Sequence, residues 1–399
     1  MWRSTSSKRR SRCSPTNPDF RSWSSAGAYR ISNYSNIGVT NAWSLQGTWR
    51  PLDDLMFRYS RGRSVRTPQL NELFRGPAQT FVAITDNCSR PVIDATANSQ
   101  TRANRNANCA ALGIPASYVD PNPGANNPGV NGPNPNLREE EGTSQTFSII
   151  LTPRFAPGLE IVLDYYDIQI GNVINTVGVG NLLNLCVDNV AINAAACGLI
   201  SRDPVTFEIN NFTQGGFNYA NQRAKGLDFA ANYDVGLSDL MDRQVGDLEV
   251  GIRGTYSIRR QDFNDVFNPA IATDIDTVVG EPRVRFVVDA TYALGDFAFT
   301  WEGDWQASQE IFDDRQLIDD PDNRSTSLLE TGDFWQHDFT MRYQFNDKVR
   351  FRAGVINAFD NEPSAAAELA PVASPSAAGN VDQFDIFGRR FFAGVNLRF

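Results

Sequence analysis

The carboxy-terminal run Arg389-Arg390-Phe391-Phe392-Ala393-Gly394-Val395-Asn396-Leu397-Arg398-Phe399 alternates apolar and polar residues up to an aromatic last residue. Phe391, Ala393, Val395, Leu397 and Phe399 fall on one face of a period-2 strand. Arg390, Gly394, Asn396 and Arg398 fall on the other, with Phe392 the apolar exception. A strand of this kind divides an oily environment from a wet one. Chain ends are ordinarily polar and frayed, whereas a closed barrel must pair its last strand and so keeps it ordered to the end.

The alternation recurs upstream. Val284, Phe286, Val288, Ala290, Tyr292 and Leu294 alternate with Arg283, Arg285, Asp289 and Thr291; a Gly295-Asp296 turn follows, and Phe297, Phe299, Trp301 and Trp305 then alternate with Thr300, Glu302 and Asp304. This spacing predicts a hairpin. Phe339, Met341, Tyr343 and Phe345 lead through Asn346-Asp347-Lys348 into Val349, Phe351, Ala353 and Val355, which predicts a second. Leu248, Val250, Ile252, Tyr256 and Ile258 form one further apolar face, and Trp43, Leu45 and Trp49 another.

Two environments produce such strands. In a soluble sandwich the apolar face is the core; in a transmembrane barrel it meets lipid and the polar face lines a hydrated lumen. Three features favour the barrel. Trp43, Trp49, Tyr59, Phe297, Trp301, Trp305, Tyr343, Phe345 and Phe399 cluster near strand ends as interface girdles would, very short turns alternate with long polar loops, and charges are numerous on the polar face. The reading is therefore all-β, an antiparallel transmembrane β-barrel of the outer-membrane type, here an incomplete barrel of about 12–14 strands.

Composition narrows the function. A net charge of -10 offers no basic groove, which argues against nucleic acid as a partner. No apolar run of about 18 residues exists, so a helical span is excluded, and barrel strands need only about 10 residues each. Catalysis finds little support: the one histidine, His337, stands beside Trp335 at the start of a strand, no serine partner is marked, and G-x-S-x-G is absent. Gly178-Val179-Gly180 continues into Asn181-Leu182-Leu183 and fails the dinucleotide pattern. The chain reads as no enzyme, and no cofactor is indicated.

Of the five cysteines, Cys88 and Cys109 bracket one long loop, Cys186 and Cys197 bracket another, and Cys13 stands apart. Local pairs in loops suggest two disulfide-closed excursions in an oxidising compartment, with free thiols the alternative. Zinc is disfavoured because no C-x-x-C or His partner accompanies them. The stretch from Thr80 to Gly142 is dense in Pro, Asn and Gly, and its segment Asp120 to Gly129 is expected not to form a strand. A long loop in a regular β domain is functional or disordered more often than filler. Asp313, Asp314, Asp319, Asp320 and Asp322 lack the spacing of a calcium loop and read as a solvated acidic segment.

The run from Phe57 through Arg61-Gly62-Arg63-Ser64-Val65-Arg66-Thr67-Pro68-Gln69-Leu70-Asn71-Glu72-Leu73-Phe74 resembles the strand-and-loop signature of TonB-dependent outer-membrane receptors. Asn134 to Ser144 is similar to the segment that introduces the next barrel strand in that family. Leu163 to Ile168, Val355 to Asn361 and Gly388 to Phe399 look like its later strands. The resemblance spans about Gly27 to Phe399. It implies a share of a 22-stranded barrel closed by an N-terminal plug, located in the outer membrane of a Gram-negative bacterium. It also implies uptake of a scarce ligand, such as a siderophore, cobalamin or an oligosaccharide, energised by TonB acting on a box ahead of the plug. Phe399 resembles the signal read by the barrel-assembly machinery.

The expected partners are outer-membrane lipid, the assembly machinery and an unidentified small molecule, with TonB a partner only if an upstream plug and TonB box exist. Residues 1–25 are set apart as non-homologous or disordered, since Lys8-Arg9-Arg10-Ser11-Arg12-Cys13 is abruptly basic, and 26–399 are assigned to the C-terminal portion of the barrel. No plug-like segment or apolar signal region is read before the barrel, so the expectation is a fragment not competent alone. A passive porin-like or adhesin barrel is the alternative. Loop residues set the ligand, and the sequence does not name it.

Overall fold

The computed structural model describes residues 4–13, 22–238, 245–265, 270–312, 329–363, 384–385 and 387–398. Phe399 and the acidic segment Asp313 to Asp322 lie outside the described residues. The chain opens with four strands, β1 (Ser4–Cys13), β2 (Ser22–Tyr34), β3 (Gly38–Leu52) and β4 (Leu55–Arg66). A first excursion follows, carrying α1 (Leu70–Phe74), β5 (Ala78–Ala83), α2 (Arg90–Ala95), α3 (Ser99–Ala111) and β6 (Asn126–Asn131). Strands β7 (Glu140–Leu151) and β8 (Leu159–Val177) lead to a second, with α4 (Val179–Val187), α5 (Ala194–Cys197) and β9 (Ile200–Arg202). The rest is β10 (Ile209–Gly236), β11 (Asp247–Phe263), the short β12 (Thr273–Asp274), β13 (Val284–Leu294), β14 (Phe297–Gln306), β15 (Phe334–Asn346), β16 (Val349–Ile356) and β17 (Arg390–Leu397).

Antiparallel ladders join these into one meander, in the order β1-β2-β3-β4-β7-β8-β10-β11-β13-β14-β15-β16-β17. That is an incomplete barrel wall within the expected range of strand number. Among the described residues no pairing joins β1 to β17, so both edges are open. β1 lies within the stretch set apart as 1–25, and β2 begins at Ser22.

The register explains the alternation. Phe391, Val355, Phe339, Trp301, Ala290 and Val250 sit side by side on one face, so apolar meets apolar across every ladder. That face is not covered by protein: Phe391 is 80% exposed and Val395 56%. On the opposite face Arg253, Asp289 and Glu302 adjoin, as do Arg285 and Asp304. Both sequence-predicted hairpins form, β13 to β14 through Gly295, whose φ of 55° suits glycine in a tight turn, and β15 to β16 through Asn346 to Lys348.

Connections separate by end. One end has the tight turns at Asp53-Asp54, Gly295-Asp296 and Asp347-Lys348; the other has both helical excursions and the segments after β11, β14 and β16. Two buried apolar clusters lie in that second end, away from the wall itself. Cys88, Cys109, Ile114, Tyr118, Val177, Leu182, Cys186, Val187 and Ala196 form one cluster, and Ile84, Val179, Leu183, Ile209 and Phe212 another.

The first excursion corrects the expectation for Asp120 to Gly129. Asn126, Asn127, Pro128 and Gly129 belong to strand β6, antiparallel to β5 with Pro128 opposite Phe81. β6 is an edge for most of its length, pairing with β10 only at Val130 and Asn131, so the missing N–H of Pro128 disrupts no second ladder. Gly129 is required there because a Cβ would lie 2.4 Å from the Phe212 ring.

Candidate ligand-binding site

The two excursions fold against each other into a cap over the loop end. Its first helix is anchored at the tops of the wall strands. The Gln69 amide donates to Glu72 Oε2 at 2.6 Å, and Arg66 at the end of β4 meets Glu72 and grips Glu140 of β7 through two bonds of 2.5 and 2.7 Å. Glu140 Oε1 also accepts from the Ile174 amide at 2.8 Å, so one carboxylate ties β4, β7 and β8 together. Paired in this way on both oxygens, Glu140 holds a charge in a half-closed setting at tolerable cost.

Helix α3 forms because Asn98 caps it, accepting from the amides of Gln100 and Thr101 at 2.9 and 3.0 Å. Its Asn104 and Asn108 stand one turn apart and close the C-terminal end of α4. Asn108 donates to the carbonyls of Val187 and Asn189 at 3.0 and 2.7 Å, and Asn104 to that of Asp188 at 2.8 Å. The carbonyls left over at a helix end are thus satisfied by amides from the other excursion. Arg105 adds a two-bond pair with Asp188 at 2.7 and 2.8 Å.

A second bridge is more deeply placed. Asp86 is 2% exposed and takes two bonds from Arg202, at 2.5 and 2.7 Å, together with the Tyr118 hydroxyl at 3.2 Å. Burial, reinforced by the Asp86 charge, pushes the Tyr118 phenol above the usual tyrosine range. The phenol therefore stays a donor.

Each excursion is closed covalently within itself. Cys88 is bonded to Cys109, with Cα atoms 5.7 Å apart, and Cys186 to Cys197, with Cα atoms 4.8 Å apart. These are the four cysteines that bracket the two loops in the sequence. The sequence reading missed the amide and arginine groups that lock one excursion to the other. The signals were present as Asn98 ahead of α3 and as Asn104 with Asn108 at helical spacing.

Two cavities stand out, one beside this cap and one on the wall. One of about 500 Å³ lies where the excursions meet β10, lined by Asn134, Leu182, Asn193, Phe217, Asn218 and Tyr219 among others. Asn218 donates to the carbonyls of Arg138 and Asn172 at 2.9 and 2.7 Å, and Asn134 to that of Gly216 at 3.0 Å, so these amides also hold the cavity wall in shape. The other, about 610 Å³, lies along the polar face of β8, β10, β11 and β13, with Asp164, Tyr166, Asp228, Arg253, Arg260 and Arg285 in its lining. Several of its charges are already matched: Arg253 to Asp289 at 3.0 Å, Arg285 to Asp304 at 2.8 Å, and Arg260 to Glu281. Both cavities combine apolar walls with a few oriented polar groups, the composition of small-molecule sites.

No metal-holding group of His, Cys, Asp and Glu occurs among the described residues. His337 is stacked on Trp335 at 5.3 Å and accepts at Nδ1 from the Trp301 indole at 3.3 Å, on the apolar face of β15. It is a packed imidazole of an aromatic girdle.

A family model described as TonB dependent receptor-like, beta-barrel, matches residues 17–358. Among solved structures, the ferric enterobactin receptor of Pseudomonas aeruginosa in complex with enterobactin superposes with a TM-score of 0.59 at 13% identity, covering 100% of this chain and 46% of that one. The siderophore receptor PirA of Acinetobacter baumannii gives the same TM-score of 0.59, at 13% identity, 100% of this chain and 46% of its own. At that identity these likenesses speak for the fold. No curated protein matches the sequence. The chain spans less than half the length of these solved receptors. With the family match extending over most of the chain and an apolar-outside, polar-inside strand meander beneath it, this protein belongs to the TonB-dependent receptors, a family of transport receptors, and represents part of their β-barrel.

Proposed function

We propose that this chain forms part of the wall and the ligand-gathering cap of an outer-membrane receptor for TonB-energised uptake of a scarce ligand, a siderophore being the class favoured. The observation that carries this is the cap: two excursions, each closed by its own disulfide and locked together through Asp86–Arg202 and Arg105–Asp188, standing over a charged strand face. A passive pore needs no such rigid cover at one end, whereas a receptor that holds a ligand before transport does. The neighbouring solved structures are receptors for ferric enterobactin and for siderophores, which supports the ligand class. In this reading the cap end faces outward and the tight turns face the periplasm.

Binding and transport separate in the test. The purified 399-residue chain should bind a ferric siderophore, read as quenching of tryptophan fluorescence. Cells carrying this chain alone should not accumulate iron from that siderophore; with a plug and TonB box supplied ahead of it, accumulation should appear and should cease when TonB is deleted. Failure to bind any of a panel of ferric siderophores would overturn the proposal in favour of a passive barrel.

A further inference from the structure

The ribbon of β5 and β6 in the first excursion has two edges of different character. Ile84 donates to the Ala125 carbonyl at 3.2 Å, and its own carbonyl accepts from the Gly124 amide at 3.0 Å, so its polar groups face β6. By alternation along the register, Val82, Thr80 and Ala78 also bond β6, opposite Asn127, Gly129 and Asn131. The N–H and C=O groups of Gln79, Phe81 and Ala83 then point the other way, and among the described residues no strand pairs with β5 on that side. The same alternation turns the nitrogen of Pro128, opposite Phe81, toward the free edge of β6. Proline blunts an exposed edge because it has no N–H to offer. β5, from Ala78 to Ala83, contains no proline and no charged residue, so its edge is bare.

The bare edge is also held in place. Val82 packs on the cluster of Ile84, Val179, Leu183, Ile209 and Phe212, and Gly129 lies against the Phe212 ring. On the outer face of the ribbon Phe81 is 60% exposed, beside the exposed Pro128. Donors and acceptors that repeat every ~6.8 Å along one line match another polypeptide backbone rather than a small ligand. The neutral strand and its exposed phenylalanine favour uncharged, apolar side chains at alternate positions of whatever pairs with it. A second copy in the same membrane does not fit. β6 runs parallel to β10 at Val130 and Asn131, so β5 keeps the line of a wall strand; a two-fold axis along the membrane normal would set two such edges running the same way, donor opposite donor.

We propose that the open edge of β5 binds an extended, uncharged polypeptide segment from outside the cell by strand addition, so that the cap recognises a polypeptide besides the small ligand. The inference goes beyond the siderophore reading and takes from it only that the cap faces outward. The added strand pairs with the free backbone groups of Gln79, Phe81 and Ala83, and its alternate side chains lie along the Phe81 ring. Because β5 is already fixed to the cap core, docking orders the incoming segment alone.

The test uses the full chain in detergent, and the probe is a labelled peptide of alternating threonine and valine with a lysine at each end for solubility. Fluorescence anisotropy should show this peptide bound. The same peptide with every internal amide N-methylated keeps its side chains, loses its backbone donors and should not bind. Residue-resolved hydrogen exchange should slow at the amides of Gln79, Phe81 and Ala83 on binding, while those of Thr80 and Val82, already bonded to β6, stay as they are. The variant Gln79→Pro removes an N–H from the open side only and should weaken peptide binding about tenfold or more, with ferric siderophore binding retained. Binding of the N-methylated peptide, an unchanged affinity in Gln79→Pro, or protection of Gln79 and Phe81 before any peptide is added would each overturn the proposal, the last because the edge would already be filled by a second copy or by the chain itself. A chain that binds a ferric siderophore and no peptide rejects only this site. One that binds neither rejects the siderophore reading with it.

Discussion

At the scale of single residues, the two faces of the wall can be told apart at one adjacent pair of identical side chains. Val287 and Val288 are neighbours on β13; Val287 lies opposite Arg253 and Asp304, and Val288 opposite Ile252 and Gly303. Val288 is about 15 Å above the turn at Leu294, near the middle of an apolar band of ~25 Å. Val288→Arg should therefore cost about 2–4 kcal/mol of folding free energy in lipid, and Val287→Arg, beside Asp304, markedly less. Urea unfolding of the two variants in vesicles, each assembled with a polypeptide that supplies the remaining barrel strands, checks this, and equal losses would reject the assignment of faces. Val395 is a weaker probe: it shares a row with Phe351, Tyr343 and Phe297 at the turn-side girdle, where charge costs about 0–1 kcal/mol. In the cap, Asp86→Ala would strand Arg202 in a largely buried position, and breaking such a pair typically costs about 3–5 kcal/mol. The expected outcome is selective loss of protease resistance in 67–139 and 178–208, with the wall strands still protected. Unaltered resistance of those two segments would show that Asp86–Arg202 does not hold the cap.

At the scale of elements, the disulfides make the cap two closed units that then dock. Closing a loop of the Cys88–Cys109 size restrains the unfolded chain by about 3 kcal/mol in the chain-entropy treatment. Non-reduced peptide maps of oxidised protein should return Cys88–Cys109 and Cys186–Cys197, and reduction should raise hydrogen exchange in α3 and α4 before it does so in β13 or β14. Pairing between the excursions, or four alkylatable thiols, would overturn the arrangement. The wall hairpins were legible in the sequence because a half-exposed strand must alternate, and because Gly295-Asp296 leaves the chain little choice but to reverse. The cap was not. Helix α3 has no apolar stripe: its buried residues are Asn104, Asn108 and Cys109, and two of these are inside only because α4 presents bare carbonyls to them. Strand β6 was hidden for a similar reason, since Pro128 is tolerated only through the edge position that β5 and β10 create together. Local pattern reports what a segment prefers by itself, and these segments are held by partners distant in sequence.

At the scale of the whole molecule, the wall is a sheet whose terminal strands each have one neighbour. β17 pairs with β16 alone and β1 with β2 alone among the described residues, which leaves a row of backbone donors and acceptors on each edge. Hydrocarbon offers those groups no partner, and each buried unpaired one costs several kcal/mol, so an open edge of this length is incompatible with a stable lipid-facing wall. Strands beyond this meander must cover both edges in a working receptor. The open edge seen among the described residues has a direct readout in hydrogen exchange, because β14 is bonded on both sides, to β13 and β15, and β17 on one. For the monomeric chain in detergent, the β17 amides that point away from β16 should exchange orders of magnitude faster than those of β14. Adding a polypeptide that supplies the remaining barrel strands should slow them to the β14 rate. Protection of β17 equal to that of β14 in the chain alone would mean that the wall closes on itself, and the reading of an incomplete barrel would have to be abandoned.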